Sequence, residues 1–337
     1  MRLAALTGGV SVPSSRLRVR QYIPALRGEG INVEEFVSGF GSYPPRLKGI
    51  RPLWAAATLT ERLSDVVKSH RYDAVLLQRE LMSSFVTLES LTKRPRILDV
   101  DDAIFLYRGS GFAKRLAELS DKVVCGNSFL AEWFSRWNLR VDIVPTAVDT
   151  DRFFPAAKAE PSDQPLIIGW IGTSGNHKYL QDIEGALAKV MRACPGTRLK
   201  VVGDRPPEFR HLVADQIDFV SWSEDVEVAA LQTMDIGIMP LEDSQWARGK
   251  CSFKMLQYMA TGLPVVVSPV GMNTEVLALG EVGIAATTEK QWTDGLIALL
   301  RDRNLRERFG ANGRHLVQAF FSIQAIAPQL AQSLRGH

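Results

Sequence analysis

The sequence predicts an α/β protein built as two successive doubly wound parallel sheets. Three observations carry this. Residues 1–155 alternate short apolar runs with amphipathic stretches, the pattern of parallel strands joined by crossover helices. Residues 155–164, PAAKAEPSDQ, are rich in Pro, Ala and polar side chains and interrupt the alternation as a linker does. The alternation then restarts and runs on toward the C-terminus. A length of 337 residues suits two domains of ordinary size. The boundaries that follow are a first domain over 1–155, a second over 156–320 and a terminal helical stretch over 321–337.

The elements can be justified in order. In the first half, strand candidates are Arg2–Leu6, Ile31–Val37, Ala74–Leu77, Arg96–Val100, Lys122–Cys125 and Val141–Ile143. Helical periodicity falls between them at Ser15–Arg27, Trp54–Ser69, Phe112–Glu118 and Phe129–Trp137. In the second half, Leu166–Ile171 reads as a strand and Leu180–Ala193 as a helix. Thr197–Val202 is the next strand, followed by a helix near Glu208–Ala214. Ile217–Val220, Ile236–Met239, Leu263–Val267 and Gly283–Ala285 are further strands, and Ile323–Leu334 is a final helix.

Composition limits the function classes. Hydrophobic content of 46% and charged content of 23% are those of a globular protein. No apolar run approaches the roughly 20 residues of a membrane span. The N-terminal MRLAALTGGV reads as a first strand meeting Gly-Gly rather than as a signal peptide. Cys125, Cys194 and Cys251 are odd in number and far apart, which suggests a reducing, cytoplasmic setting without a disulfide framework or zinc site. The net charge is +3, but residues 1–155 hold 22 Lys+Arg against 17 Asp+Glu, whereas residues 156–337 hold 18 against 20. A basic first half suits an anionic acceptor or an anionic membrane face, and is equally common without either. Residues 43–55, YPPRLKGIRPLWA, mix cations with aromatic and aliphatic side chains. They read either as a peripheral contact with an inner-membrane surface or as an ordinary loop. Nothing points to nucleic acid.

The most informative stretch is 249–271, GKCSFKMLQYMATGLPVVVSPVG. A glycine-bounded loop enters a short helix, which stops at Thr261-Gly262, and a β-branched run follows Pro264. Free N–H groups and the helix dipole, with Lys250 and Lys254, make a phosphate site. An αβ unit with two solvated lysines is the plainer alternative. Thr7-Gly8-Gly9 follows the first strand, where glycine lets backbone approach a ligand. Arg16 and Arg18 stand just beyond, ready to meet phosphate or acceptor or to line a solvated helix face. Ile168 to Lys178, IGWIGTSGNHK, opens the second half with the spacing GxxGxxG. That is not the dinucleotide fingerprint and disfavours a nicotinamide-linked dehydrogenase. Asp99-Val100-Asp101-Asp102 ends an apolar strand. By residue type alone it reads as a metal-binding DxD or as a helix cap, and a third reading comes with the resemblance below.

Several of these segments resemble the retaining GT-B glycosyltransferases of family 4, also called group 1. That family carries a Glu, seven residues, a second Glu, then Ala-Met-Ala-x-Gly-x-Pro-Val. Gln257 to Val265, QYMATGLPV, is similar to its second part, with Gln257 at the second Glu and Gly249 at the first. Gly172 and Lys178 match the ends of the family's Gly-Arg-x-x-x-x-Lys loop, and Thr173 replaces the Arg. Asp101 stands where a Thr-x-His-Asp places a His. Gly126 to Leu130, Val144 to Phe153, Asp235 to Leu241 and Gly271 to Glu275 resemble further family segments in the right order. Phe219 to Trp222 stands where the nucleotide base is bound.

The resemblance implies a GT-B fold, two Rossmann-like domains facing a central cleft. The first domain would take the acceptor, the second the donor, and the last helix would pack back on the first. It implies transfer of a hexose from a nucleoside-diphosphate sugar to a hydroxyl of a glycan or lipid-linked acceptor, with retention and without metal or resident cofactor. Asp101, Lys178 and Lys254 would be catalytic. Gly8, Gly9, Gly172, Thr173, Trp222, Lys250, Cys251, Ser252, Phe253 and Gln257 would bind donor, and Arg16 and Arg18 acceptor, with Arg248 a further cation near the phosphates. The replaced His, Arg and Glu positions leave two alternatives open: a non-catalytic binding subunit, or a nucleotide-sugar epimerase of similar fold.

Overall fold

The computed structural model of the chain describes every residue except Arg46, Ser84, Tyr107, Arg108, 157–164 and His337. The linker expected at 155–164 therefore lies mostly outside the described residues. The chain divides into two compact units. One comprises Met1–Ala147, Gly249–Cys251 and Ile323–His337; the other comprises Val148–Arg248 and Ser252–Ser322.

The first unit holds strands β1 (Arg2–Thr7), β2 (Asn32–Val37), β3 (Ala74–Gln78), β4 (Arg96–Val100), β5 (Lys122–Cys125) and β6 (Val141–Ile143) in the order β2-β1-β3-β4-β5-β6. Every pairing is parallel. Parallel strands need crossover helices, which cover both faces. Accordingly β3, β4 and β5 are buried along their whole length. The helix Ile323–Arg335 belongs to this unit. Ile326, Leu330 and Leu334 join the core formed with Leu3, Ile97 and Val124. Its Ser333 donates to Asp142 (2.6 Å), and Lys122 bridges Asp142 and the Ser333 carbonyl.

The second unit holds β7 (Ile167–Ile171), β8 (Arg198–Gly203), β9 (Ile217–Ser221), β10 (Ile236–Met239), β11 (Val265–Val267) and β12 (Gly283–Ala285) in the order β12-β11-β10-β7-β8-β9, again all parallel. Its core is built on Trp170 and Trp292 with aliphatic residues from β8, β10 and the flanking helices. In open sheets of this kind, ligands bind beyond the carboxyl ends of the strands where strand order reverses. Those switch points fall between β1 and β3 in the first unit and between β7 and β10 in the second.

Three helical expectations are corrected. Ser15–Arg27 is not one helix but two, Pro13–Arg18 and Ile23–Gly28, separated at Val19 (φ −124°, ψ −66°). Pro24 stands in the first turn of the second, where its missing N–H costs nothing. Leu180–Ala193 is likewise divided at Ile183. No α-helix forms over 208–214. Pro206 and Pro207 supply no N–H groups, and the Glu184 carboxylate accepts the N–H groups of Arg210, His211 and Leu212 instead. The helices Glu224–Gln232, Glu289–Arg301 and Arg303–Phe320 were not assigned from sequence.

Candidate functional site

Each unit carries polar chemistry at its switch point. In the second, β7 ends at Ile171 and the chain turns at Gly172. A Cβ on Gly172 would lie 2.3 Å from Lys254 Nζ and 2.7 Å from the Trp170 ring, so only glycine leaves room for both. Lys254 sits 4.6 Å from the centroid of that buried indole, a cation–π contact. Lys254 is the second residue of the helix Phe253–Ala260, whose N-cap Ser252 is left-handed (φ 51°) and gives no side-chain cap. A helix start that its own side chain does not cap is disposed to accept an anion. His177 lies edge-on to Trp170 with no partner for its buried Nε2. Burial, with Lys254 nearby and against the pull of Asp204, lowers its pKa below the ordinary value, so it is neutral at pH 7.

The rest of this loop is polar. Thr173 accepts a hydrogen bond from the Asn176 amide, and both the N–H and hydroxyl of Ser174 donate to Asp204. Lys178 is mostly exposed. It pairs with Glu242 beyond β10 at 3.3 Å and lies 4.7 Å from the Tyr179 ring centroid. The hydrogen bond to Glu242 raises its pKa, so it is an ammonium group at neutral pH.

A second cluster of this unit surrounds Gln257. Its amide donates to Glu227 (2.9 Å), the Trp222 indole N–H donates to the same oxygen (3.2 Å), and Arg152 pairs with the other oxygen (3.0 Å). Gln257 and Glu227 are buried, while Trp222 keeps 41% of its surface exposed. Sequence reading missed Glu227. It noted the acid lost at Gln257 but not the carboxylate that the helix Glu224–Gln232 brings against that amide. The one available signal was the acidic first turn of that helix.

In the first unit, Gly8 N–H donates to Ser15 Oγ (3.2 Å), and Gly8 packs against Ser42. Beyond β3, Arg79 adopts a left-handed backbone (φ 62°), rare for a residue with a side chain. Its guanidinium donates to Asp101 (2.7 Å), Asp102 and Ser14 (2.8 Å). Burial opposes ionisation of Asp101, but Arg79, the Ser14 hydroxyl and Arg18 outweigh it and hold its pKa below the usual carboxylate value. Asp102 is pushed up by burial and by Asp101, against Arg79 and Lys250. Arg79 also escaped sequence reading, although it directly follows an all-buried strand at a switch point.

Arg18 is buried. Its guanidinium donates to Asp99 (2.7 Å), the Val144 carbonyl (2.7 Å) and Thr146, so it ties β4 to the end of β6 from within. Arg16 is half-buried on the same helix. The three aspartates are thus each matched to a guanidinium, Asp99 to Arg18 and the other two to Arg79. A divalent ion would have to displace those cations, and this disfavours the DxD reading. Gly249–Cys251 belongs to this unit. Gly249 is pressed against Ala103, and the Lys250 carbonyl accepts from Asn127 (3.0 Å). Burial and the nearby aspartates push the Cys251 thiol up to about 11, so it stays protonated at neutral pH. Arg248, in the second unit, pairs with Asp243.

With this geometry in view, the known proteins fall into one group. The family described as "Glycosyl transferases group 1" matches residues 165–302. A GDP-mannose-dependent alpha-(1-6)-phosphatidylinositol monomannoside mannosyltransferase of Mycobacterium tuberculosis is 27% identical over 220 residues, 58% of this chain and 56% of its own length. The chain thus spans little more than half the length of that curated relative. Sucrose-phosphate synthase from Thermosynechococcus elongatus matches with TM-score 0.75 at 19% identity, covering 100% of this chain and 98% of that one. Anabaena HepE, crystallised with UDP and glucose, matches with TM-score 0.71 at 15% identity, covering both chains completely. Likeness at such identity establishes the fold, two Rossmann-like units of the GT-B kind.

Proposed function

We propose that this chain, which belongs to the group 1 glycosyltransferases, transfers a hexose from a nucleoside-diphosphate sugar to a hydroxyl with retention of configuration. The observation that carries this is the seat at Gly172, where an ammonium group rests on a buried indole beside the start of a helix that its own side chain does not cap. Breaking the anomeric C–O bond leaves negative charge on diphosphate. Fixed cations and N–H dipoles aimed at that charge stabilise the transition state more than the ground state. Lys254 is the principal cation, with Lys178 assisting, and the N–H groups around Ser252 and Phe253 join them. Thr173 leaves an Arg-sized deficit of charge that these cations make up.

The nucleoside end falls to Trp222 and Gln257. The exposed indole face stacks on a base, and Glu227 supplies through Gln257 the acidic character that the family keeps at this position. The first unit takes the acceptor. Asp101, anchored by Arg79, orients the acceptor hydroxyl, and Arg16 on the helix Pro13–Arg18 adds positive charge on the acceptor side. The leaving phosphate receives the acceptor proton, so no pair of catalytic carboxylates is required. The relatives include a lipid mannosyltransferase, and a glycan or lipid-linked acceptor of the cell envelope fits that company.

The test is release of nucleoside diphosphate from a panel of UDP-, GDP-, ADP- and dTDP-hexoses, with and without a pooled polyprenyl-phosphate and oligosaccharide acceptor fraction. Acceptor-dependent release from one donor supports the reading. Binding without release indicates a non-catalytic subunit, and turnover without any acceptor indicates an epimerase.

A further inference from the structure

The helix Arg51–Ser69 is inverted in its polarity. The side it buries carries Thr58, Arg62, Asp65 and Ser69, with Val66 the one aliphatic. Arg62 is closed off inside, donating to the Thr7 and Phe36 carbonyls and to Asp65. The side it shows to solvent carries Leu53 (74% exposed), Leu59 (36%), Leu63 (49%) and Val67 (64%). Leu53, Ala56, Thr60, Leu63 and Val67 step by three and four residues, so they form one stripe roughly 21 Å long. An ordinary surface helix does the reverse, placing its apolar stripe on the core.

Charge says what the stripe fits. Its ends are cationic: Lys48 and Arg51 precede it, and Lys68 and Arg71 close it. The two acids of the helix are turned away. Asp65 is buried with Arg62, and Glu61 accepts from Ser38 and the Gly39 N–H. Tyr43, Trp54 and Phe85 stand near the first end, and there a cleft of about 410 Å³ opens between Pro44, Lys48, Arg51, Trp54, Met82 and Phe85. Self-association through the stripe would set cationic ends against cationic ends in either direction, because both are positive. A plane of anionic headgroups over acyl chains matches the whole pattern.

We infer that the exposed face of Arg51–Ser69 docks on an anionic bilayer surface, with its leucines at the acyl boundary and Lys48, Arg51, Lys68 and Arg71 among the headgroups. This does not rest on the transferase reading, because it uses no residue assigned to donor or acceptor. It extends the membrane reading of 43–55, one of the two left open by the sequence; Arg46 of that stretch lies outside the described residues.

The experiment is co-sedimentation of the full chain with vesicles of phosphatidylcholine alone and of phosphatidylcholine with 30% phosphatidylglycerol (roughly one anionic lipid in three, enough to raise local cation binding). Light scattering measures its mass in parallel. Binding is expected to the anionic vesicles and to weaken in high salt. Leu63→Glu/Val67→Glu should lower the partition coefficient at least about tenfold while donor binding and melting temperature stay unchanged, since both positions are exposed. Lys48→Gln/Lys68→Gln should remove the preference for anionic vesicles. Absence of binding, or binding undiminished in Leu63→Glu/Val67→Glu, overturns the inference. So does a dimer that this variant dissociates, which would make a second copy the occupant.

Discussion

Gly172→Ala isolates the Lys254 seat by a single methyl group. The added Cβ would fall 2.3 Å from Lys254 Nζ and 2.7 Å from two atoms of the Trp170 ring. The indole is fixed in the core, so the lysine gives way and its ammonium leaves the ring. Loss of that contact costs about 0.5–2 kcal/mol, and crowding of a packed site about 1–3 kcal/mol. Together, for a unit of this size, the melting temperature should fall by about 3–20 °C. A charge-assisted contact with phosphate is worth about 1.5–3 kcal/mol, so affinity for the cognate nucleoside diphosphate should drop about tenfold to a hundredfold. Gly175→Ala is the control. It lies three residues on in the same loop, and a Cβ there meets nothing within 4 Å. Its stability should stay within about 0.5 kcal/mol of wild type and its affinity unchanged. Titration calorimetry on the three proteins reads both differences. Equal affinities for Gly172→Ala and Gly175→Ala would refute the placement of Lys254 at the phosphate.

Other outcomes follow from the same geometry. Glu227→Gln should weaken nucleoside diphosphate binding about tenfold or more, through lost hydrogen bonds to a charged group, and leave inorganic pyrophosphate affinity unchanged; equal losses for both ligands would remove Glu227 from the nucleoside end. Lys178→Ala should lower transfer about 100-fold, and a near-wild-type rate in a folded protein would leave its pairing with Glu242 as its only role. Arg79→Met should destabilise by about 3–5 kcal/mol at pH 7, because the buried Asp101 and the half-buried Asp102 lose their cation. The sign follows from linkage. The folded pKa of Asp101 is depressed, so its contribution is complete above its unfolded value of about 3.9 and lost as pH falls through the folded one. The gap between wild type and Arg79→Met in melting temperature should therefore narrow as pH falls below about 3.9, and a constant gap would mean that Arg79 acts by packing alone. Removing Ile323 onward strips Ile326, Leu330 and Leu334 from the first core, about 1.5–3 kcal/mol each. A separate low-temperature melting step is expected, and an unaltered single transition would contradict that packing.

The strands were the readable part of this chain. Apolar runs such as Val265–Val267 and Ala74–Leu77 leave little choice when both faces of a parallel sheet are covered. Helix continuity was less readable. Val19 and Ile183 break helices whose periodicity carries straight through them. The helix expected near Glu208 is replaced by a loop whose N–H groups are taken by Glu184, a residue more than twenty positions away. Charged residues were the hardest: the sequence reads Arg18 as meeting an acceptor or lining a solvated face, while the fold buries it against Asp99. The site was legible in its parts but not in its contacts. Gly172 and Lys254 were each singled out, yet only the reversal of strand order between β7 and β10 brings them together. Glu227 and Arg79 were invisible for the same reason, because their partners lie far off in the chain.

The most direct measurement is calorimetric titration of UDP, GDP, ADP and dTDP into the wild type and Lys254→Ala. One nucleoside diphosphate should bind the wild type, and bind Lys254→Ala at least about tenfold more weakly. No binding of any of the four, or equal affinity for both proteins, would contradict a donor site built on Lys254.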